Sequence, residues 1–131
     1  TFETRIYLKF IHFSIMMIVF KKKGKKFNQG SYDSLFHDIE NNLREAGFGD
    51  VSVNKKMKDF NKQLYDILLK IENSDLDRFK LNRKLMIKYF QELDDPNKDK
   101  FNEFEDYFIK FYNFCFELPL DNMIIESINF R

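Results

Sequence analysis

Most of the chain places its apolar residues three and four positions apart, but the first stretch does not. From Ile6 to Phe20 only Lys9, His12 and Ser14 interrupt an apolar run, which ends in Lys21, Lys22, Lys23, Lys25 and Lys26. A helix over Ile6–Phe20 would be roughly 22 Å long, short of the ~30 Å hydrocarbon core of a bilayer. A secretory signal would carry its positive charges before the apolar run, and here they follow it. A buried core helix is the reading adopted, with an interfacial helix against a membrane or a full span as its alternatives.

Beyond Gly24 and Gly30, which bracket a connector, Ser31 is the expected N-cap of a second helix. Tyr32, Leu35, Phe36, Ile39 and Leu43 share one face of it, with Asp33, His37, Glu40, Asn41 and Arg44 outside. Gly47 stands where a left-handed residue commonly closes a helix, and Phe48-Gly49-Asp50-Val51 reads as a tight connector. Ser52 is the expected cap of a third helix with a stripe of Met57, Phe60, Leu64, Leu68 and Ile71 and a basic start at Lys55, Lys56, Lys58 and Lys62. Asn73-Ser74 ends it. A fourth helix is expected from Leu76, Phe79, Leu85, Met86, Tyr89 and Phe90, stopping before Asp94-Asp95-Pro96. Phe101, Phe104, Phe108, Phe111, Tyr112 and Cys115 mark a fifth, and Pro119 can open a short sixth through about Glu126. Strand-like alternation competes only at the last few residues. The expected fold is therefore all-α, a single bundle-like domain over residues 1–131 with five to six helices.

Composition changes this picture in two respects. With 17 Phe, 6 Tyr and no Trp among 131 residues, aromatic rings must fill much of the core. The abundance of Phe, Lys, Asn and Ile reads first as A- and T-rich codon usage and second as a selected aromatic surface. Lys and Arg number 22 against 21 Asp and Glu, so no global field attracts nucleic acid and DNA is not an expected partner. Local charge is another matter. The clusters Lys21–Lys26 and Lys55–Lys58 are either solvated helix ends or small positive patches able to meet anionic lipid head groups or RNA phosphates. The single Cys115 cannot form an internal disulfide, which suits a reducing compartment. The chain opens on Thr1 rather than Met, so a preceding segment is expected.

Candidate chemistry is sparse. Asp95-Pro96-Asn97-Lys98-Asp99 resembles the opening of a calcium-binding loop, but Lys100 stands where the loop needs Gly and Asp106 where it needs Glu. His12, His37 and Cys115 have no ligand-like spacing. No phosphate-cradling glycine loop and no nucleophile with a matched base is legible, so neither an enzyme nor a cofactor is expected. His12 reads as a hydrogen-bonded core residue and Cys115 as a small buried one.

The stretch Asn42-Leu43-Arg44-Glu45-Ala46-Gly47-Phe48-Gly49-Asp50-Val51-Ser52-Val53, followed by the basic Asn54-Lys55-Lys56-Met57-Lys58, resembles the hallmark of the ubiquinol–cytochrome c chaperone family. That hallmark has methionine and valine where Ala46 and Phe48 stand. Upstream, Tyr32-Asp33-Ser34-Leu35-Phe36-His37-Asp38-Ile39 is similar to another family element, with Glu40 in place of its final aspartate. Leu64-Tyr65 matches a common phenylalanine-tyrosine pair, and Leu118-Pro119-Leu120 a C-terminal element. Leu8–Phe20 looks like the family's apolar helix with its histidine, here His12, though lysines follow it rather than arginines. The family's usual segment before this helix is missing.

The resemblance implies a non-enzymatic assembly factor for the cytochrome bc1 complex, acting on newly made cytochrome b and other bc1 subunits. It implies work beside the ribosome on the matrix side of the mitochondrial inner membrane, or at the cytoplasmic face of a bacterial inner membrane. Arg44, Glu45, Asp50, Lys55, Lys56 and Lys58 are the expected partner-binding residues, and Lys21, Lys22, Lys23, Lys25 and Lys26 the expected patch against an anionic membrane. The glycine-rich corner itself serves as scaffold or as client contact. The alternative is a generic helical module that binds protein or RNA.

The absence of a legible coordination shell predicts that chelation leaves thermal melting unchanged. A shift of several degrees on adding calcium or zinc in a melting experiment would contradict it.

Overall fold

A helix that is apolar on every side has to be covered on every side, and the first helix sets the architecture for this reason. The computed structural model describes residues 2–72, 80–94 and 100–118. Helix α1 (Phe2–Lys22) buries Ile6, Phe10, Ile11, Phe13, Ile15, Met16, Ile18, Val19 and Phe20, positions that go all the way round its axis. Around it lie α2 (Gln29–Glu45), α3 (Asp50–Glu72), the short α4 (Arg83–Tyr89) with a 3-10 turn at Gln91–Leu93, and α5 (Lys100–Glu117). Helix α3 packs along α1, α5 covers another side, and α2 lies against α3. The described residues are all-α, as the apolar spacing predicts.

Aromatic rings form the joints. Phe10 of α1 stacks on Phe36 of α2 at 5.8 Å and meets Phe60 of α3 edge-on at 6.2 Å. Phe27, in the connector, is gripped by Phe13 at 4.9 Å and Phe20 at 5.0 Å, both in the edge-to-face geometry that ring quadrupoles favour. Phe108, Phe111 and Cys115 bring α5 into the same core, where burial pushes the Cys115 thiol up to about 12. Helix α4 is tied to α3 through Asp66, which accepts from Tyr89 Oη at 2.6 Å and pairs with Lys88 and Lys70 at 3.0 Å each. Burial alone would raise the Asp66 carboxyl, but these donors outweigh it and hold it at about 2.

Two helix ends use the same device. Gly24 and Gly47 have φ of +72° and +96°, and their N–H groups reach back to Lys21 O and Arg44 O. The following residues, Lys25 and Phe48, donate to Phe20 O and Leu43 O, which completes the Schellman closure of α1 and α2. Gly47 is thus in the left-handed conformation expected of it.

Several boundaries differ from the expected ones. Helix α2 begins at Gln29, because Asn28 is extended and its Oδ1 accepts from Gly30 N at 2.8 Å; Ser31 and Gly30 lie inside the first turn. Helix α3 begins at Asp50, ahead of Ser52. The closure at Gly47 and Phe48 leaves only Gly49 between Phe48 and the first residue of α3, and the Gly49 carbonyl accepts the first α3 hydrogen bond from Val53 N at 2.9 Å. Helix α4 starts only at Arg83, since Asn82 Oδ1 caps Leu85 N at 3.1 Å while Leu81 N donates to Glu105 of α5. It ends at Tyr89, where Phe90 leaves helical geometry. Leu76, Phe79, the Asp95–Asp99 turn and the sixth helix expected from Pro119 lie outside the described residues. No described helix is long and apolar enough to cross a membrane.

One polar group does not fit the core. Ser14 is fully buried in α1 and its Oγ has no hydrogen-bond partner among the described residues. Removing an unpaired buried hydroxyl recovers its desolvation cost, and alanine is the better helix former. Ser14→Ala should therefore raise stability by about 1 kcal/mol, read by urea denaturation; a loss of stability would show that the hydroxyl is satisfied. Gly47→Val should cost roughly 1–3 kcal/mol, because nothing crowds a Cβ there and the whole penalty is the positive φ. Asn54→Ala, on an exposed α3 position, should be nearly neutral, so equal melting temperatures for the two would refute the Gly47 assignment.

Candidate functional site

The corner between α2 and α3 follows from the two glycines. Because α2 closes at Gly47 and α3 starts at Asp50, the last turn of one helix faces the first turn of the next. Arg44 uses this proximity. Its guanidinium pairs with Glu40 one turn back, at 3.1 Å, and with Asp50 across the corner. These two hydrogen-bonded carboxylates raise the Arg44 pKa above its ordinary value. Arg44 and Asp50, expected as partner-facing residues, thus hold each other while remaining exposed. Glu45 is exposed and makes no ion pair among the described residues.

Sequence reasoning missed the apolar part of this surface. Phe48 and Val51 project from the corner, with Val51 86% exposed, and Lys56 Nζ lies 4.9 Å from the Phe48 ring centroid. Val51 begins a line along the outer side of α3: Val51, Lys55, Lys58, Lys62, Tyr65 and Leu69, spaced four, three, four, three and four apart, are all exposed. Tyr65 and Leu69 keep 47% and 53% of their surface in solvent. The core stripe of α3 (Val53, Phe60, Leu64, Ile67, Ile71) lies on the opposite side. The outer line was legible as a second helical period, but the stronger inward period hid it. Three lysines framed by exposed apolar residues can hold an apolar segment that carries negative charge at its edge.

The five lysines at and after the end of α1 have different neighbours. Lys22 Nζ donates to Tyr112 Oη at 2.9 Å and Lys23 Nζ to the Leu118 carbonyl at 2.6 Å, and both lie over rings of α5, Tyr112 and Phe116. These two fasten α1 to α5 rather than standing wholly in solvent. Lys21, Lys25 and Lys26 point the other way and rim an apolar cavity against α3.

His12 is half-buried between α1 and α5. Since the Leu8 carbonyl can only accept, Nδ1 donates to it at 2.7 Å, and Nε2 of the neutral ring accepts from Tyr107 Oη at 2.8 Å. Phe108 and Phe111 stand edge-on to the ring at 4.9 and 4.7 Å. Burial lowers the His12 pKa, opposed by the Leu8 hydrogen bond. The residue fills a packing role. Among the described residues no three His, Cys, Asp or Glu side chains gather as a metal-holding group.

Comparison with known proteins adds one positive finding. The family described as ubiquinol-cytochrome C chaperone matches residues 1–98, a stretch that contains α1 to α4 and both sides of the corner. No curated protein and no solved structure matches the chain.

The lowered His12 pKa makes a pH prediction. The unfolded chain binds this proton first, at about pH 6.5, while the folded protein resists it. Stability should be complete above about pH 6.5 and decline as the pH falls below it. Denaturation of the wild type and His12→Gln between pH 5.5 and 7.5 would test this, the variant losing that part of the slope; identical slopes would remove His12 as its source.

Proposed function

The chain belongs to the ubiquinol–cytochrome c chaperone family, and on that premise we propose that it is a non-enzymatic chaperone that holds newly made cytochrome b during assembly of the bc1 complex. Membership of the family supports a chaperone role in bc1 assembly. The observation that carries it is the coincidence of the family match with the exposed corner, where Phe48 and Val51 stand beside Lys55, Lys56 and Lys58. A membrane-protein client brings apolar helices whose ends carry charged loops. An exposed apolar residue flanked by lysines offers partners to both, without enclosing either.

On this reading the Arg44–Asp50 and Arg44–Glu40 pairs keep the corner in shape, while Glu45, Phe48, Val51 and the α3 lysines face the client. The protein works peripherally at the inner membrane, on the matrix side or the bacterial cytoplasmic side, where a ribosome delivering cytochrome b is also within reach. Lys25 and Lys26, after the end of α1, give it a local attraction to anionic lipid.

Val51→Asp places a charge on a residue that the fold does not bury, so melting should be unchanged while recovery of cytochrome b falls about tenfold or more, as expected for a central contact. The measurement is affinity purification of the tagged protein from native membranes, scored for cytochrome b, other bc1 subunits and ribosomal RNA. Failure of the wild type to recover any bc1 component above a mock purification would refute the reading. Recovery of RNA alone would favour an RNA-binding module instead.

A further inference from the structure

The end of α1, the connector after it and Leu68 near the end of α3 line an open cavity of about 270 Å³ that the corner does not use. Its apolar lining includes Met17, Phe27 and Leu68, and its rim carries Lys21, Lys25 and Lys26. None of the described residues that line it carries a carboxylate. Lys25 and Lys26 are exposed and make no ion pair among the described residues, in contrast to Lys22 and Lys23, which are committed to α5. The Schellman turn at Gly24 produces this division. It reverses the chain after Lys23 and brings Lys25, Lys26 and Phe27 back alongside the last turn of α1.

We propose that this cavity receives the anionic head group and adjoining glycerol of a phospholipid that stays in its bilayer. An apolar floor with a cationic rim is complementary to the boundary of an anionic lipid, where a phosphate meets the first hydrocarbon carbons. The volume of about 270 Å³ falls just below the roughly 300 Å³ at which small-molecule pockets begin, so two acyl chains do not fit and the lipid remains anchored in the membrane. The cavity thereby orients the protein as well as attracting it: the end of α1 meets the lipid surface and the outer side of α3 remains available. The inference rests on the membrane-peripheral reading above but assigns a defined site in place of a diffuse lysine patch.

The test is sedimentation of the whole protein with phosphatidylcholine vesicles, with and without phosphatidylglycerol, at low and high salt. Lys25→Glu with Lys26→Glu should weaken binding to the anionic vesicles about tenfold or more, since each lysine near such a surface contributes on the order of 1 kcal/mol. The charge-matched pair Lys84→Glu with Lys110→Glu, on α4 and α5, should weaken it far less. Met17→Trp, which fills the cavity and keeps every charge, should also weaken it, with circular dichroism checking the fold of each variant. Should Met17→Trp not fold, the comparison of the two charge-reversed pairs decides. Equal losses for those pairs would mean diffuse attraction and overturn the site, as would wild-type binding by folded Met17→Trp. Displacement by inorganic phosphate beyond matched chloride would reassign the cavity to a free anion. Recovery of cytochrome b by Met17→Trp from detergent-solubilised membranes, scored in parallel, separates failure of the cavity from failure of the chaperone reading.

Discussion

Burying a helix that has no polar side is the constraint from which the rest of this structure follows. From Ile6 to Phe20, α1 offers apolar atoms in every direction, each large side chain gaining about 1.5–3 kcal/mol on leaving water. One neighbouring helix cannot collect that gain. Helices α2, α3 and α5 are amphipathic, and each supplies a single apolar stripe. The arrangement is a central rod with a jacket, the outer faces of the jacket being the protein's surface.

The jacket is fitted by rings and by chain reversals. Rings join helices at angles that aliphatic side chains would leave poorly packed, as Phe10 of α1 does with Phe36 of α2 and Phe60 of α3. The reversals at Gly24 and Gly47 let consecutive helices fold back within a few residues, and both place lysines or exposed apolar groups at a bend. Surface chemistry therefore gathers where the backbone turns. At the α2–α3 corner the turn presents Phe48 and Val51 beside lysines; at the end of α1 it sends two lysines to α5 and leaves three around a cavity. The two surfaces share α3 but lie at opposite ends of it, the corner at Asp50 and Val51 and the cavity at Leu68.

His12 and Ser14 show how differently polar groups can be accommodated in one apolar helix. His12 is answered by a carbonyl from its own helix and a tyrosine from α5, and its neutrality suits the ring cage around it. Ser14 is answered by no group among the described residues. A histidine that looks functional in an apolar run is here a joint between two helices, while the small hydroxyl is the exception that packing tolerates.

The sequence by itself determined the helical class, the apolar stripes of α2, α3 and α5, the left-handed Gly47 and the family, because all of these are local patterns: a period, a turn residue, a motif. It did not determine where α2, α3 and α4 begin. Asn28, Gly49 and Asn82 decide those points through hydrogen bonds that compete with other plausible caps, and α4 is further held by contacts to α5 and Asp66. Nor could it sort the lysines, since five cations within six positions read as one patch until the neighbours of each are known. Only the tertiary structure gives Lys22 and Lys23 to α5, leaves Lys25 and Lys26 at a cavity rim and turns Val51, Tyr65 and Leu69 outward, because whether a side chain is occupied or available depends on what the other helices bring next to it.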